Sequence, residues 1–423
     1  MTKPAASETF DAPAERLPRA PDPARVQRIT DDAGALAAAH RLAAEFAPGA
    51  SERDRTGRLP WDELERWSEA GLGGITVPRA HGGADVSYAT LAEVFVILCA
   101  ADPALGQIPQ NHFGLLGLLR ELGSDAQKER YYAEVLAGRR LGNAGPERKS
   151  EAARTVLQGA TRLKSTADGL RLEGRRFYST GALFAHRVPT RAQDDAGRAV
   201  QVWVPREAPG LRVVDDWSSF GQRTTASGSV VFDNVAVDAA DVLPLWQLAD
   251  RAGLFGPNSQ LVQAAIDQGI AQAAVADAIA FVRERARPWV DAVGAGVAQA
   301  ADDPYIIQEV GSLQIDLHAA HAVLRETALL FDAIAAEPVT AESSARASVA
   351  VAEAKVLTTR IALDASEKLF ALAGASATRA QHNLDRHWRN ARTHTLHDPV
   401  RWKTQLIGNY HLNGVLPARH SWN

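Results

Sequence analysis

The sequence predicts an α+β fold, mostly α, in which a helical N-terminal domain, a middle antiparallel β domain and a C-terminal four-helix bundle follow one another along the chain. Three observations carry that reading. Apolar residues recur at helical spacing in both terminal regions, short β-branched runs punctuated by Gly, Pro and Asp fill the middle, and the two periodicities do not alternate as βαβ units would. Neither a GxGxxG motif nor a P-loop is present, so a nucleotide has to be gripped in some other way.

Residues 1–25 are rich in Pro and Ala, interleaved with charges, and lack the apolar stretch of an export signal; a flexible tail is expected there. The helical domain spans 26–138. Pro60 before Trp61-Asp62-Glu63-Leu64 marks a helix start, with Pro in the first turn and acids at the positive end of the dipole, and Gly71 closes that helix. Leu115, Leu118, Leu119 and Leu122 form one buried stripe, Gly123 ends it, and Ser124 with Gln127 forms a capping box for the next helix. The β domain spans 139–245. Asp168-Gly169 is a hairpin turn before Arg171-Leu172-Glu173-Gly174, and Val202–Val204, Leu211–Val214 and Val230–Phe232 read as strands. From 246 to 423 long helices return. Val351, Ala354, Thr358, Ile361, Ala365, Leu369 and Leu372 keep helical spacing, and Val349, Val356, Leu363 and Phe370 add apolar surface on other faces, as in a helix buried in a bundle or a subunit interface.

Composition narrows the function. A formal net charge of -4 with no dense Lys/Arg stretch speaks against nucleic acid. The one cysteine, Cys99, rules out an intrachain disulfide, reads as a buried thiol and fits a reducing cytoplasm. No run of roughly 18 apolar residues is seen, so no segment is expected to cross a membrane.

Four segments concentrate polar groups. In Gln110-Asn111-His112-Phe113-Gly114, His112 falls on the leucine stripe: the plain reading is a satisfied core histidine, the sharper one a proton donor facing a cavity. In Gly142-Asn143-Ala144, small residues flank an amide and allow close approach of a planar ligand, or simply make a turn. Phe177-Tyr178-Ser179-Thr180-Gly181 places two aromatics and two hydroxyls at a strand end, able to line a ring system and bond its polar edge. In the segment from Arg389 to Pro399, His394 and His397 share a helix face before Pro399. No acid or cysteine stands at metal-ligand spacing, so no metal site is expected, and two imidazoles beside Asp398 suit proton transfer.

At these segments the chain resembles the flavin-dependent monooxygenase branch of the acyl-CoA dehydrogenase superfamily, in particular the sulfur-acquisition oxidoreductases related to dibenzothiophene monooxygenase. The resemblance runs from about Asp31 to the C-terminus, through Gly74–Pro78 with His81–Ala84, Ala101-Asp102-Pro103, Gln110–His112, Phe177–Phe184, Phe220–Gly228, Val231–Val237 and Asn383–Pro399. It implies flavin held between the β domain and the bundle. Asn143, Ser179 and Thr180 are then flavin-binding, with Ser179 also among the catalytic residues, and Arg285 stands near the flavin phosphate. His112, His394 and His397 match the active-site histidines.

The Tyr-Glu-Gly-Thr-like stretch that often carries a dehydrogenase's carboxylate base reads Arg392-Thr393-His394-Thr395-Leu396-His397 here, without glutamate. The implied reaction is therefore oxygen transfer from O2, through a C4a-hydroperoxyflavin protonated by His112 and His397, to a small organosulfur substrate. Replacing His112 by Ala is expected to raise uncoupled peroxide release. The resemblance further implies reduced FMN delivered by a separate flavin reductase, and a homotetramer, with a dimer as the alternative. Ala373-Gly374-Ala375-Ser376 replaces a Gly-Gly pair that often grips FAD, which leaves FAD as the second choice. Alternatives are an acyl-CoA dehydrogenase with its base elsewhere and a non-catalytic oligomeric scaffold; the departure Gly145–Ser150, where relatives carry Ser-Glu and then glycine, motivates the scaffold.

Overall fold

The computed structural model describes residues 16–147 and 159–423. The N-terminal helices are α1 (Asp32–Thr56), α2 (Trp61–Glu69), α3 (Tyr88–Ala101), α4 (Pro103–Gln107), α5 (Gln110–Leu122) and α6 (Asp125–Leu136). Their starts follow local chemistry: the side chains of Asp31, Ser87 and Ser124 accept from Gly34, Thr90 and Gln127 N–H groups that a helix start leaves unpaired. Ser124 and Gln127 complete the expected capping box. Pro60 stands at the N-cap of α2 rather than inside its first turn, and Gly71, at φ 77°, turns the chain away after the helix. The four leucines of the α5 stripe are buried.

The expected tail needs correction from Arg16 onward. The Arg16 guanidinium lies 4.5 Å from the Trp61 ring centroid, Pro18 is buried, and the Arg19 carbonyl accepts from the His186 ring at 2.9 Å. Cation–π contact and apolar burial hold 16–25 on the body. Residues 1–15, and positions 148–150 of the departure after Gly145, lie outside the described residues.

The middle region forms one seven-stranded sheet from β1 (Arg162–Thr166), β2 (Gly169–Arg176), β3 (Arg187–Gln193), β4 (Ala199–Pro205), β5 (Leu211–Val214), β6 (Ser229–Val237) and β7 (Val242–Leu243), in the order β5-β6-β2-β1-β3-β4-β7. The Asp168-Gly169 turn joins β1 to β2, with Thr166 opposite Gly169. All pairings are antiparallel except β1 with β3, which is parallel. That exception corrects the expectation of a purely antiparallel sheet. Its cause is the connection 177–186, which carries the chain out of β2 and back in on the far side of β1.

The C-terminal helices are α7 (Phe255–Glu284), α8 (Val290–Gly294), α9 (Pro304–Ala335), α10 (Ala341–Ala373), α11 (Asp385–His394) and α12 (Arg401–Asn413). Helices α7, α9 and α10 pack on one another and α12 packs on α10, as a bundle. By length and composition α7 is apolar enough to cross a membrane. Most of it is buried in the fold, however, and it carries Gln260, Gln263, Asp267 and Gln268 at buried positions, as the core helix of the bundle. The N-terminal and C-terminal helices share one apolar core, to which α3 contributes by lying along α7. The sheet has its own core, closed by Trp61 and Leu64 of α2.

Candidate functional site

A cavity of about 1060 Å³ opens between the helical body and the sheet. It lies at the upper end of the usual ligand-pocket range of roughly 300–1,000 Å³. Helix α5 presents Gln110, Asn111 and Gly114 to it, and α7 presents Asn258 and Gln263. The sheet side supplies Asn143, Tyr178, Thr180 and Arg191, and the loop before β6 supplies Trp217, Phe220 and Gln222. Residues 393–394, 396–399 and 415–418 close the remaining sides together with parts of α12.

The loop carrying Phe220 and Gln222 is held by α11. A side chain at Gly221 would meet the Arg389 carbonyl at 1.9 Å, so only glycine allows the loop to lie this close. Asn390 Oδ1 accepts from the Gln222 N–H at 2.7 Å, and Phe220 stacks on Trp388 with centroids 5.9 Å apart. Gln222 then donates to Gln107 Oε1 at 2.8 Å, while its own Oε1 has no partner. Tyr178, Gln222 and Ala226 all hold positive φ without being glycine. Such backbone strain persists where packing imposes it, often around a ligand.

The electrostatic centre lies behind the His394 end of the wall. Asp267 sits on the buried face of α7, opposite Lys355 of α10, and all three side chains, His394 included, are withdrawn from solvent. Lys355 Nζ donates to Asp267 Oδ2 at 2.8 Å, and Thr359 Oγ1 donates to the same oxygen at 3.0 Å. His394 Nδ1 lies 2.5 Å from Asp267 Oδ1. Burial alone would raise the Asp267 pKa, but the Lys355 charge and then His394 outweigh it and bring it to about 2. An ionised Asp267 accepts, so His394 carries its proton on Nδ1. Burial, joined by the charges of Lys355 and His397 and opposed by Asp267, lowers the His394 pKa, so the ring is neutral near pH 7. Its Nε2 is buried at the cavity wall with no protein partner.

The other predicted residues divide by position. His397 lies on the same wall, with Nδ1 3.1 Å from Asp398 Oδ1. It does not share a helix with His394, because α11 ends there and 395–400 form turns; the helix expected to run on towards Pro399 stops early. Asn143 and Thr180 line the cavity, and Thr180 Oγ1 pairs with Ser227 Oγ at 2.7 Å. Ser179 is buried just behind the wall, its Oγ without a partner. Gly142-Asn143-Ala144 is an extended segment, with Gly142 and Ala144 N–H groups donating to the Arg187 and Pro189 carbonyls. The close approach that Gly142 permits is to the Ala182 backbone, 2.6 Å from where a Cβ would stand, and not to a ligand.

Two of the predicted residues stand off this cavity wall. His112 faces away from the cavity: its Nε2 lies 2.9 Å from the Gly73 carbonyl and its Nδ1 accepts from the Leu141 N–H at 3.1 Å. Burial pushes its pKa down to about 4, and both nitrogens are spent on backbone, as in a satisfied core histidine. Arg285 caps the end of α7, exposed and 3.4 Å from His382 Nδ1, and is not on the cavity wall.

Two carboxylates on the wall bear on the choice of chemistry. Glu147 accepts from Thr161 and the Ala160 N–H and pairs with Arg176 at 3.2 Å. Asp398 is held by His397 and Lys403. In both, burial works to raise the pKa and is outweighed by these partners, so both are held ionised. Neither is an uncommitted base. Tyr178, Trp217 and Phe220 offer flat apolar surfaces, and the partnerless atoms His394 Nε2, Gln222 Oε1, Gln263 Oε1 and Asn258 Oδ1 await a polar ligand edge. A buried polar atom left unpaired costs about 1–3 kcal/mol, so this set fits a planar ring system with donors and acceptors along its rim, as a flavin has.

Comparison with known proteins agrees. The family models for the acyl-CoA dehydrogenase N-terminal domain and C-terminal domain match residues 32–139 and 261–402. Over 406 residues the chain is 34% identical to dibenzothiophene monooxygenase of Rhodococcus erythropolis, covering 92% of this chain and 96% of the relative. The crystal structure of FMN-bound TdsC from Paenibacillus sp. A11-2 superposes with a TM-score of 0.86 at 32% identity, covering 92% of this chain and all of that one. Methanesulfinate monooxygenase MsuC from Pseudomonas fluorescens does so with a TM-score of 0.84 at 28% identity, covering 92% and 99%.

Proposed function

This chain belongs to the acyl-CoA dehydrogenase family, in its flavin-dependent monooxygenase branch, and on that premise we propose that it uses reduced FMN and O2 to oxidise a small organosulfur compound in the cavity beside His394. The observation that carries the reading is the buried, unpartnered imidazole nitrogen His394 Nε2 at a cavity where the two wall carboxylates among the described residues are both committed to partners. A dehydrogenase needs a carboxylate free to take a proton from carbon; an oxygenase needs a dry site where protons are handed over one at a time.

Reduced FMN, when bound, supplies the electrons that O2 activation requires. Tyr178, Trp217 and Phe220 would flank its ring, and Asn143, Thr180, Gln222 and Gln263 would meet its polar rim, with Ser179 behind them. The chain's own chemistry is proton handling. His394 Nε2 accepts a proton from the cavity, Asp267 stabilises the imidazolium through Nδ1–H, and the proton returns when product forms. Lys355 keeps Asp267 neutralised, so the resting ring stays uncharged. His397 adds a second imidazole on the same wall.

Further parts of the reading are proposals of the same kind: delivery of reduced flavin by a separate reductase, a cytoplasmic location and a homotetramer. Exposed apolar side chains on α9 and α12, among them Ile307, Ile315, Trp402 and Leu412, support assembly. Arg285 is exposed and off this protomer's cavity wall, so contact with a flavin phosphate would have to come from a neighbouring copy.

The test is turnover with enzymatically reduced FMN under 18O2, offering dibenzothiophene and methanesulfinate as sulfur substrates. One labelled oxygen per product is expected. Anaerobic bleaching of bound flavin by an acyl-CoA, with no oxygenated product, would establish the dehydrogenase instead.

A further inference from the structure

Four buried arginines of this chain each hold a carboxylate: Arg53 with Asp102, Arg140 with Glu65, Arg176 with Glu147 and Arg187 with Glu134. Arg191 does not. It stands on β3 opposite Gln201 of β4, and both line the cavity. Among the described residues its side chain makes one hydrogen bond, from Nη2 to Ser421 Oγ at 3.1 Å, and pairs with no acid. A guanidinium has five N–H donors and does not give up its charge, so most of this group's capacity is unspent.

The surroundings add to the imbalance. Arg176 donates to the Arg191 carbonyl, and the charges of Arg191 and Arg162 both weigh against that of Arg176. Three guanidiniums thus crowd this end of the sheet, and Glu147 is the carboxylate paired there among the described residues. Burial disfavours the Arg191 charge, and no acid among the described residues pairs with it to offset this. A partly buried cation facing an open cavity without an acidic partner is stabilised by an anion that enters it.

We propose that Arg191, flanked by Gln201 and Ser421, is an oxyanion subsite of the cavity, taking a tetrahedral or planar oxyanion in the forked geometry that guanidinium favours. The proposal rests on the reading of this cavity as the flavin and substrate site. Two ligands bring such a group: the phosphate of FMN, or a substrate carrying a sulfinate, sulfonate or carboxylate.

Equilibrium titration of the full chain separates them without turnover. Wild type, Arg191→Met and Arg191→Gln are titrated anaerobically with reduced FMN against reduced riboflavin, and with methanesulfinate against dimethyl sulfoxide, its neutral counterpart of similar shape. Wild type should prefer at least one anion by roughly 10-fold or more, the scale of a charged hydrogen bond. In either neutral variant that preference should shrink to about 2-fold or less. Loss of the FMN preference assigns the phosphate, and loss of the sulfinate preference assigns the substrate head. A wild type with neither preference overturns the subsite, as do variants that keep both. Should one variant fail to fold, the other and the wild-type comparison still decide. Turnover that succeeds while these titrations fail removes only the subsite; titrations that succeed without turnover remove only the monooxygenase reading.

Discussion

His112 in α5 and His394 at the end of α11 are equally withdrawn from solvent, each about 1% exposed, yet their surroundings differ in kind. His112 spends both nitrogens on backbone, joining the Gly73 carbonyl to the Leu141 N–H, with Trp67 and Phe113 edge-on to its ring. His394 spends one nitrogen on a carboxylate that Lys355 neutralises and leaves the other at a cavity. The first arrangement ties elements together and has no capacity left. The second fixes a tautomer and keeps a lone pair for a ligand. Burial alone therefore does not mark a working histidine; what matters is whether a nitrogen remains unspent.

The largest expected effect that would sharpen this contrast is at Lys355. Lys355→Met strands the buried Asp267 carboxylate with His394, at a cost of about 3–5 kcal/mol in chemical denaturation. His394 should then take up a proton to replace the lost charge, which a pH profile of coupled turnover would show as an apparent pKa moved upward. A variant as stable as wild type with an unmoved profile would break the account of the triad.

Next in size is His112→Ala. It leaves the Gly73 carbonyl and the Leu141 N–H without their partner, and unfolding should cost roughly 2–4 kcal/mol less than in wild type. Product formed per reduced FMN consumed should not change. That reverses the expectation drawn from the sequence, and a loss of coupling in a well-folded variant would restore it.

An effect of comparable size, but spread over several pH units, comes from pH. His112 and His186 have folded pKa values pushed down by burial to about 4 and about 3, against roughly 6.5 in the unfolded chain. As pH falls below 6.5 the unfolded chain takes up protons that the folded one refuses. Their contribution is thus complete above about 6.5 and lost progressively down to about 4 for His112 and about 3 for His186. For His112 the loss is on the order of 3 kcal/mol. Denaturation curves at pH 7, 5 and 4 would show it, and His112→Asn should flatten part of the slope.

Much of the fold was legible because it rests on local signals. The Ser124 and Gln127 capping box, the leucine stripe of α5, the Asp168-Gly169 hairpin and the buried stripe of α10 all stand where periodicity and turn chemistry put them. The parallel β1–β3 pairing was not legible, because it depends on where the connection 177–186 crosses and not on the composition of either strand. The site was read in part. His394, His397, Asn143 and Thr180 came to one cavity, whereas His112 sits on the other face of α5, a difference of side that sequence spacing does not resolve on a helix whose apolar residues occupy most of its circumference. Asp267 and Lys355 were passed over, though Lys355 is a charge set into a buried helical face between Val351 and Thr358, and Asp267 follows Gln260 and Gln263 on the buried side of α7. A charge on such a stripe is rarely tolerated without a partner, and the two partner each other. Trp217 and Arg191 gave no local signal, since long-range folding alone turns them towards the cavity.

The most direct test of the central claim is the coupling ratio of His394→Ala, measured as product formed against hydrogen peroxide released per reduced FMN oxidised. With Asp267 still paired to Lys355, the variant should fold and bind FMN normally while coupled oxygenation falls by about 10²–10³-fold and peroxide release takes its place. A folded, FMN-binding His394→Ala enzyme that couples like wild type would contradict the account.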